Sequence, residues 1–242
     1  MTTCLNCDNN FEGLFCNLCG QKAATHRFTM HEWLHEIPHS ILHVDSGFFL
    51  TMKTLFVRPG DAVREFLHGK RKLLFSPFLY LLVWCGIYVV VTHFFGKDEK
   101  VIEVTNITNA NEYISEHYYK IWAIASVIPL AVGSYFAYFK SGYNFAEHLV
   151  FNAYLMGQLV IADIILVLIS ATSFDENYLT IFKSLEFIKF PFWFWMIWQF
   201  FKPQKWYWGI LQFILFLILA GIATSILLTP FGFYVLKMKG SH

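Results

Sequence analysis

Residues 76–95 read SPFLYLLVWCGIYVVVTHFF. The stretch carries no Asp, Glu, Lys or Arg, and His93 is its only ionisable group besides the Tyr and Cys side chains. About 20 apolar residues in a helix cross the roughly 30 Å hydrocarbon layer of a bilayer. A surface helix of a soluble domain would need a polar face, and this run has none. The expected fold class is therefore an all-α integral membrane protein. Working outward, four more apolar stretches qualify: about 119–139, 145–171, 187–201 and 206–228. The fourth is short and carries Lys189 and Pro191 near its start. If it began near Leu179 it would reach spanning length and bring Lys183 and Glu186 to the membrane. Composition agrees with this class. Of the 242 residues 56% are hydrophobic and only 14% charged, against about 25% in a soluble domain. The same numbers exclude disorder. A net charge of +1 leaves no electrostatic footprint for nucleic acid.

Positive residues set the orientation. Arg58, Arg64, Lys70, Arg71 and Lys72 precede the first span, which makes that side cytosolic. The loop 96–117 is acidic and is expected outside, and Lys140, Lys202 and Lys205 return to the inside. The expected layout is five spans with a cytosolic N-terminus and an external C-terminus. Lys237 and Lys239 fit it poorly; if the fourth segment only dips into the interface, the C-terminus is cytosolic. Trp193, Trp195, Trp198, Trp206 and Trp208 crowd the fourth–fifth junction as an aromatic belt would. No internal repeat supports an inverted-repeat transporter.

The N-terminus has another character. Cys4 and Cys7 form one Cys-x-x-Cys knuckle, and Cys16 and Cys19 form a second. Two such knuckles close together supply four thiolates for a tetrahedral metal cage with no open position. A segment this small buries too little to fold alone, so a structural Zn2+, one per chain, would hold it. Two disulfides or an iron–sulfur cluster are the alternatives. Cys85 sits in an apolar run and reads as a buried small hydrophobe. No basic start and early apolar core precede the ribbon, so it is expected in the reducing cytosol.

The chain thus divides into a zinc ribbon at 1–25, an amphipathic and basic linker at 26–72, and a transmembrane helical domain at 73–242. In the linker, Met30, Leu34, Ile37, Ile41, Phe48, Met52 and Leu55 form an apolar helical stripe. His31, His35, His39 and His43 run beside it, four apart, with Pro38 as a break. His31-Glu32-Trp33-Leu34-His35 matches the two-histidine zinc hydrolase pattern, in which Glu32 would be the general base. A third ligand is needed, and His39, Asp45 and Glu65 are candidates that no local signature separates. The same histidines could hold a second, non-catalytic metal, or simply form the polar face of an interfacial helix. Pro59-Gly60 reads as a turn, and Asp61 as the N-cap of a short helix at 62–68. Lys70, Arg71 and Lys72 are candidate lipid-headgroup ligands.

The third apolar stretch holds Glu147, His148, Asn152, Gln158 and Asp163. Helical spacing puts His148, Asn152 and Asp163 on one face. Ionisable groups inside a membrane are costly and face the bundle interior or water. They could relay protons or bind a cation, or serve as hydrogen-bonding glue between helices.

Taken together, these motifs resemble a bacterial, Bacteroidetes-type family of uncharacterised membrane proteins. The resemblance rests on Cys4, Cys7, Cys16, Cys19, Gly20 and Gln21, then on His43-Val-Asp45-Ser-Gly47-Phe48 with Thr51. It continues through Arg58-Pro59-Gly60, Gly69-Lys70-Arg71, Pro77-Phe78 and Glu147-His148-Leu-Val-Phe151. It covers residues 1 to about 170 and implies a membrane location and a ribbon, with no activity. The His31-Glu32-x-x-His35 match is not part of that pattern, which weighs against proteolysis. A fainter resemblance to Yip-type membrane proteins implies a trafficking or scaffold role. The expected function is non-enzymatic: a multi-pass protein of the bacterial inner membrane whose cytosolic ribbon binds a partner protein or anionic lipid. Its expected partners are the bilayer, a cytosolic or membrane protein and a second copy of the chain, with no nucleic acid. The alternatives are a channel or transporter for an ion, proton or small solute through the third span, and a zinc metallohydrolase at His31, Glu32 and His35.

Overall fold

The structure is a computed structural model and describes residues 1–23, 25, 27–31, 47–72, 74–95, 119–172, 187 and 189–239. Strand β1 (Thr2–Thr3) pairs antiparallel with β2 (Asn10–Phe11), Thr2 opposite Phe11 and Thr3 opposite Asn10. Among the described residues seven helices follow: α1 (Gly47–Val57), α2 (Pro59–Leu67), α3 (Pro77–Phe95), α4 (Tyr119–Ala137), α5 (Phe145–Thr172), α6 (Lys189–Phe201) and α7 (Trp206–Lys239). A 3-10 turn, Phe139–Ser141, joins α4 to α5.

Among the described residues three helices are long and apolar enough to cross a membrane: Pro77–Phe95, Phe145–Ile169 and Trp206–Leu227. These match the first, third and fifth expected spans. The apolar stretch Ala123–Ala137 of α4 is shorter. The fourth stretch gives only the 13 residues of α6. At 1.5 Å per residue they reach about 20 Å, less than the hydrocarbon thickness. Lys183 and Glu186 lie outside the described residues.

Helix α5 is the centre of the bundle. Most of its apolar length is buried, but little of that of α3 and still less of that of α7. It packs on α3 and α4, α7 packs on α4, and α2 packs on α6. The approaches are made at glycines. A Cβ on Gly157 would lie 2.6 Å from the Tyr80 ring. One on Gly133 would lie 2.7 Å from the Ala220 backbone nitrogen. Small residues at such crossings are how membrane helices come close. The stripe Ile210, Ile214, Ile218, Ile222 and Ile226 on α7 is exposed, as on a lipid-facing helix.

The linker joins this bundle through aromatic packing. Phe48 of α1 lies 5.5 Å from Phe75, 5.6 Å from Tyr80 and 5.3 Å from Trp84, ring centre to ring centre. Thr51, fully buried, donates to the Gly47 carbonyl and accepts from the Phe75 N–H at 2.7 Å. Helix α2 starts earlier than the expected 62–68. Arg58 is its N-cap and Pro59 its first helical residue, with Asp61 in the first turn. Proline suits that position because its missing N–H would have no intrahelical partner there. The Arg58-Pro59-Gly60 run is therefore a helix start, close behind α1.

One end of the bundle gathers the α2 region, the α4–α5 turn and the α6–α7 turn. Lys202 pairs with Asp61 at 2.9 Å, and Tyr138 stacks on Phe201 at 3.8 Å. Tyr143 stacks on Phe200 at 4.7 Å.

Candidate metal centre

The ribbon is built from two equivalent knuckles. In the first, the Asp8 N–H donates to the Cys4 carbonyl and the Cys4 N–H to the Asn9 carbonyl, both at 2.9 Å. In the second, the Gly20 N–H donates to the Cys16 carbonyl and the Cys16 N–H to the Gln21 carbonyl, both at 2.8 Å. Each knuckle needs a left-handed residue just after its second cysteine, and Asp8 (φ 57°) and Gly20 (φ 72°) fill that place. The second knuckle thus has glycine where the first has an aspartate, which tolerates this region less well. Asp8→Gly should slow chelator-driven release of the bound metal by about twofold to fivefold. A chromogenic zinc chelator followed over time checks this; an accelerated release would show that the Asp8 side chain, not the backbone strain, matters.

The four sulfurs of Cys4, Cys7, Cys16 and Cys19 all lie within 4.8 Å of one another. Cys4 and Cys19 are 3.5 Å apart and Cys7 and Cys16 3.6 Å apart. A tetrahedral cage with metal–sulfur bonds near 2.3 Å has edges of about 3.8 Å, so the geometry fits one metal. All four cysteines are free of disulfides. Further donors face the sulfurs. The Asn9 side-chain amide donates to Cys16 Sγ at 3.7 Å and to Asn17 Oδ1 at 2.7 Å. Partial burial opposes ionisation of Cys16, but the N–H groups of Cys19 and Leu18 and the Asn9 amide outweigh it, bringing the thiol to about 6. At Cys7 the Asn9 N–H favours the thiolate, yet burial and the neighbouring thiols prevail and push it to about 12. A bound cation would reverse the latter, because coordination deprotonates a thiol. Four thiolates leave no coordination site open, so such a metal holds the fold and does no chemistry.

The ribbon is docked on the bundle. The Gln21 amide donates to the Gly69 carbonyl at 2.7 Å and accepts from the Lys72 N–H at 3.4 Å. Gly69 has φ 108°, and a Cβ there would lie 2.6 Å from the Leu5 side chain. The ribbon thus docks on Gly69 and Lys72, beside and within the run Lys70, Arg71 and Lys72 that the sequence offers as headgroup ligands. Arg71 lies over the rings of Phe28 and Phe66, at 5.0 and 5.9 Å, a cation–π placement. Lys70 is half-buried and Lys72 exposed.

The candidate polar residues of α5 fall into separate pairings. Asn144 and Glu147 cap the helix reciprocally: the Glu147 N–H donates to Asn144 Oδ1, and the Asn144 N–H donates to Glu147 Oε2. This is a capping box. Arg27 then clamps the same carboxylate, Nε to Oε1 at 2.8 Å and Nη2 to Oε2 at 2.7 Å. The hydrogen-bonded carboxylate raises the Arg27 guanidinium above its ordinary value. His148 and Asn152 are fully buried and converge on Ser134 of α4, each at 2.9 Å. Ser134 also donates to the Ala131 carbonyl at 3.2 Å. Gln158 donates to the Tyr80 hydroxyl at 2.9 Å. Asp163 forms an ion pair with Lys189 at the start of α6. Removing one member of a shielded pair strands the other charge, whereas removing both is tolerated. Asp163→Leu should destabilise the detergent-solubilised protein by about 2 kcal/mol, and Asp163→Leu with Lys189→Met should recover most of it. Thermal unfolding of the two variants checks this, and no recovery would refute the coupling.

Of the histidine motif only His31 is described, and it is exposed. Glu32, His35, His39 and Asp45 lie outside the described residues, and Glu65 is bonded to Arg58 at 2.6 Å. Ser134, Arg27 and Gln21 carry contacts that periodicity did not single out. The Asn144–Glu147 capping box was readable from its spacing.

Comparison with known proteins adds one match. Residues 45–89 fit a family described as "Protein of unknown function (DUF3667)". The matched segment runs from the end of the histidine stripe through α1 and α2 and into α3, and includes Thr51, Arg58-Pro59-Gly60 and Gly69-Lys70-Arg71. No curated protein matches the chain, and no solved structure does.

Proposed function

We propose that the chain is a non-enzymatic membrane protein, of the bacterial inner membrane, whose Zn2+ ribbon is a binding platform for a partner protein on the cytosolic face. The observation that carries this reading is the ribbon itself. It is fixed to the helical bundle through Gln21, Leu5 and Gly69, yet it turns three large apolar side chains outward: Leu14 (79% exposed), Phe15 (56%) and Leu18 (72%). Large apolar side chains exposed on a small rigid module are suited to protein contact. A closed four-thiolate site is a rigidifying device, which lowers the entropy lost on binding. The gathering of Arg58, Arg64, Lys140, Lys202 and Lys205 at the same end supports a cytosolic placement.

The test is a photo-crosslinking residue at Leu18, in cells, with one at Ile222 on α7 as control. A discrete protein adduct at Leu18, absent when Cys16→Ser is combined with it, supports the reading. Adducts at Leu18 to lipid alone, or no adduct, overturn it. The transporter reading would need a connected polar path. Glu147, His148 with Asn152, and Asp163 are instead held by three different partners, Arg27, Ser134 and Lys189.

A further inference from the structure

A cleft of about 410 Å³ opens where the ribbon meets the bundle. Its walls include Leu5 of the ribbon, Arg27, Leu67 and His68 at the end of α2, and Ser141 and Tyr143 beside the start of α5. The volume is that of a small-ligand site.

The polar groups in it point to one ligand chemistry. Arg27 uses Nε and Nη2 on Glu147 and donates from Nη2 to the Gly142 carbonyl at 2.5 Å. Its side chain is nonetheless 59% exposed, while the Glu147 carboxylate behind it is 4% exposed. The carboxylate is thus spent on Arg27 and on capping α5, and the open edge of the guanidinium, Nη1, makes no hydrogen bond among the described residues. His68 is exposed at the C-cap of α2. The Ser141 hydroxyl is shielded from solvent and has no partner among the described residues. A shielded hydroxyl that makes no hydrogen bond gains from an acceptor brought to it. The charged side chains on its walls are Arg27 and Glu147, and of the two only the guanidinium is open to solvent. An anion with several acceptor oxygens satisfies a guanidinium edge, an imidazole and a hydroxyl together. Leu5 and Leu67 add an apolar wall suited to a short carbon chain.

We propose that this cleft binds an anionic phosphate group, borne either by a lipid headgroup or by free phosphate. The inference rests on the docked ribbon, as the proposed function does, but not on any partner protein. The cleft is a site distinct from the metal cage, and a ligand in it would bridge ribbon, linker and bundle.

The experiment uses the full chain with its metal, in detergent micelles, titrated calorimetrically with three probes: dihexanoyl phosphatidic acid, inorganic phosphate and zwitterionic dihexanoyl phosphatidylcholine. Saturable binding of phosphatidic acid, with phosphatidylcholine at least tenfold weaker, is expected. His68→Ala with Ser141→Ala removes two groups that hold nothing else in place, and should weaken binding about tenfold. Arg27→Lys keeps the charge facing Glu147 but loses the fork, and should weaken it as well. Lys202→Ala, on Asp61 away from the cleft, should leave it unchanged. Phosphate binding as tightly as phosphatidic acid, with the same variant pattern, assigns the site to free phosphate. Absence of binding by both anions, equal binding of phosphatidylcholine, or affinities that ignore the cleft variants overturn the proposal. Crosslinking at Leu18 is read on the same variants. A retained ribbon adduct beside failed phosphate binding removes the cleft alone, and a lost adduct beside intact phosphate binding removes only the partner reading.

Discussion

Cys4→Ser with Cys16→Ser should abolish metal binding and unfold the ribbon while leaving the helices folded. The argument starts from size. Among the described residues the ribbon's buried hydrophobic core is Cys4, Phe11 and Cys16, with Cys7, Cys19 and Ala23 packed at their edge. Its strands are two residues each. A core of one aromatic ring and the ligand sulfurs cannot offset the entropy of ordering such a segment, so metal binding and folding are one event. The double variant removes one ligand from each knuckle, and a two-thiolate remnant does not hold zinc in competition with a chelator. If the metal is the proposed zinc, its content should fall from about one per chain to near zero. The peptide bonds of residues 1–23 should become protease-sensitive at the same time. The bundle has a separate core around α3, α4 and α5, and its helical circular dichroism should persist. The Gln21 and Leu5 contacts to Gly69 should be lost with the ribbon, exposing the α2 C-terminus. A ribbon that keeps its protection without metal would refute the coupling. A second zinc that survives in this variant and is lost with His31→Ala and His35→Ala would favour the hydrolase alternative instead.

How far the sequence reached depended on whether a feature was local. The cysteine spacing fixes both knuckles because a Cys-x-x-Cys turn needs only its own residues and the next one, Asp8 or Gly20. The run 76–95 announces a membrane-length helix for the same reason, since its hydrogen bonds lie within it. Pairings across the bundle were not legible. Ser134 looks like any small polar residue in α4, yet His148 and Asn152 both turn to it. His148, Asn152 and Asp163 share a helical face in projection, but α5 meets different neighbours along its length, so they meet different partners. Lys189 reads as a blemish in the fourth apolar run, where the structure makes it the counter-charge of Asp163. The basic run Lys70-Arg71-Lys72 reads as a surface patch. The contacts the Lys72 N–H makes to Gln21 and the Arg71 side chain to Phe28 and Phe66 could not be read from it. The start of α2 was misplaced because Asp61 is a good N-cap in isolation, and the sequence does not show why Gly60 must lie inside the helix.

That reason leads to the second large effect. Gly60→Val should separate α2 from α6. A Cβ at position 60 would lie 2.4 Å from the Phe200 backbone nitrogen, 2.6 Å from Gln199 Cβ and 2.6 Å from the Met196 carbonyl oxygen. Two of these are backbone atoms, so no rotamer change relieves the overlap, and one helix must move. The movement would break the bond from the Gly60 N–H to Gln199 Oε1, 3.2 Å, and draw Asp61 away from Lys202. It would also disturb Phe200, which is buried against Tyr143 and Phe151 at ring separations of 4.7 and 4.4 Å. Overpacking against backbone costs about 3 kcal/mol or more. For a chain of this size that is a fall in Tm of roughly 6–12 °C in detergent. Gly86→Val is the control, because nothing lies within 4 Å of a Cβ added there. It sits in α3, where replacing glycine should be neutral or slightly stabilising. Equal melting temperatures for the two variants would mean that α2 does not lie against α6. A selective loss at Gly60 would establish that the short helix before the first span is clamped to the last turns of α6. The residues on either side of that clamp, Arg58 and Gly69, would then be fixed relative to the bundle. That rigidity is what lets Gly69 hold the ribbon in place through Gln21.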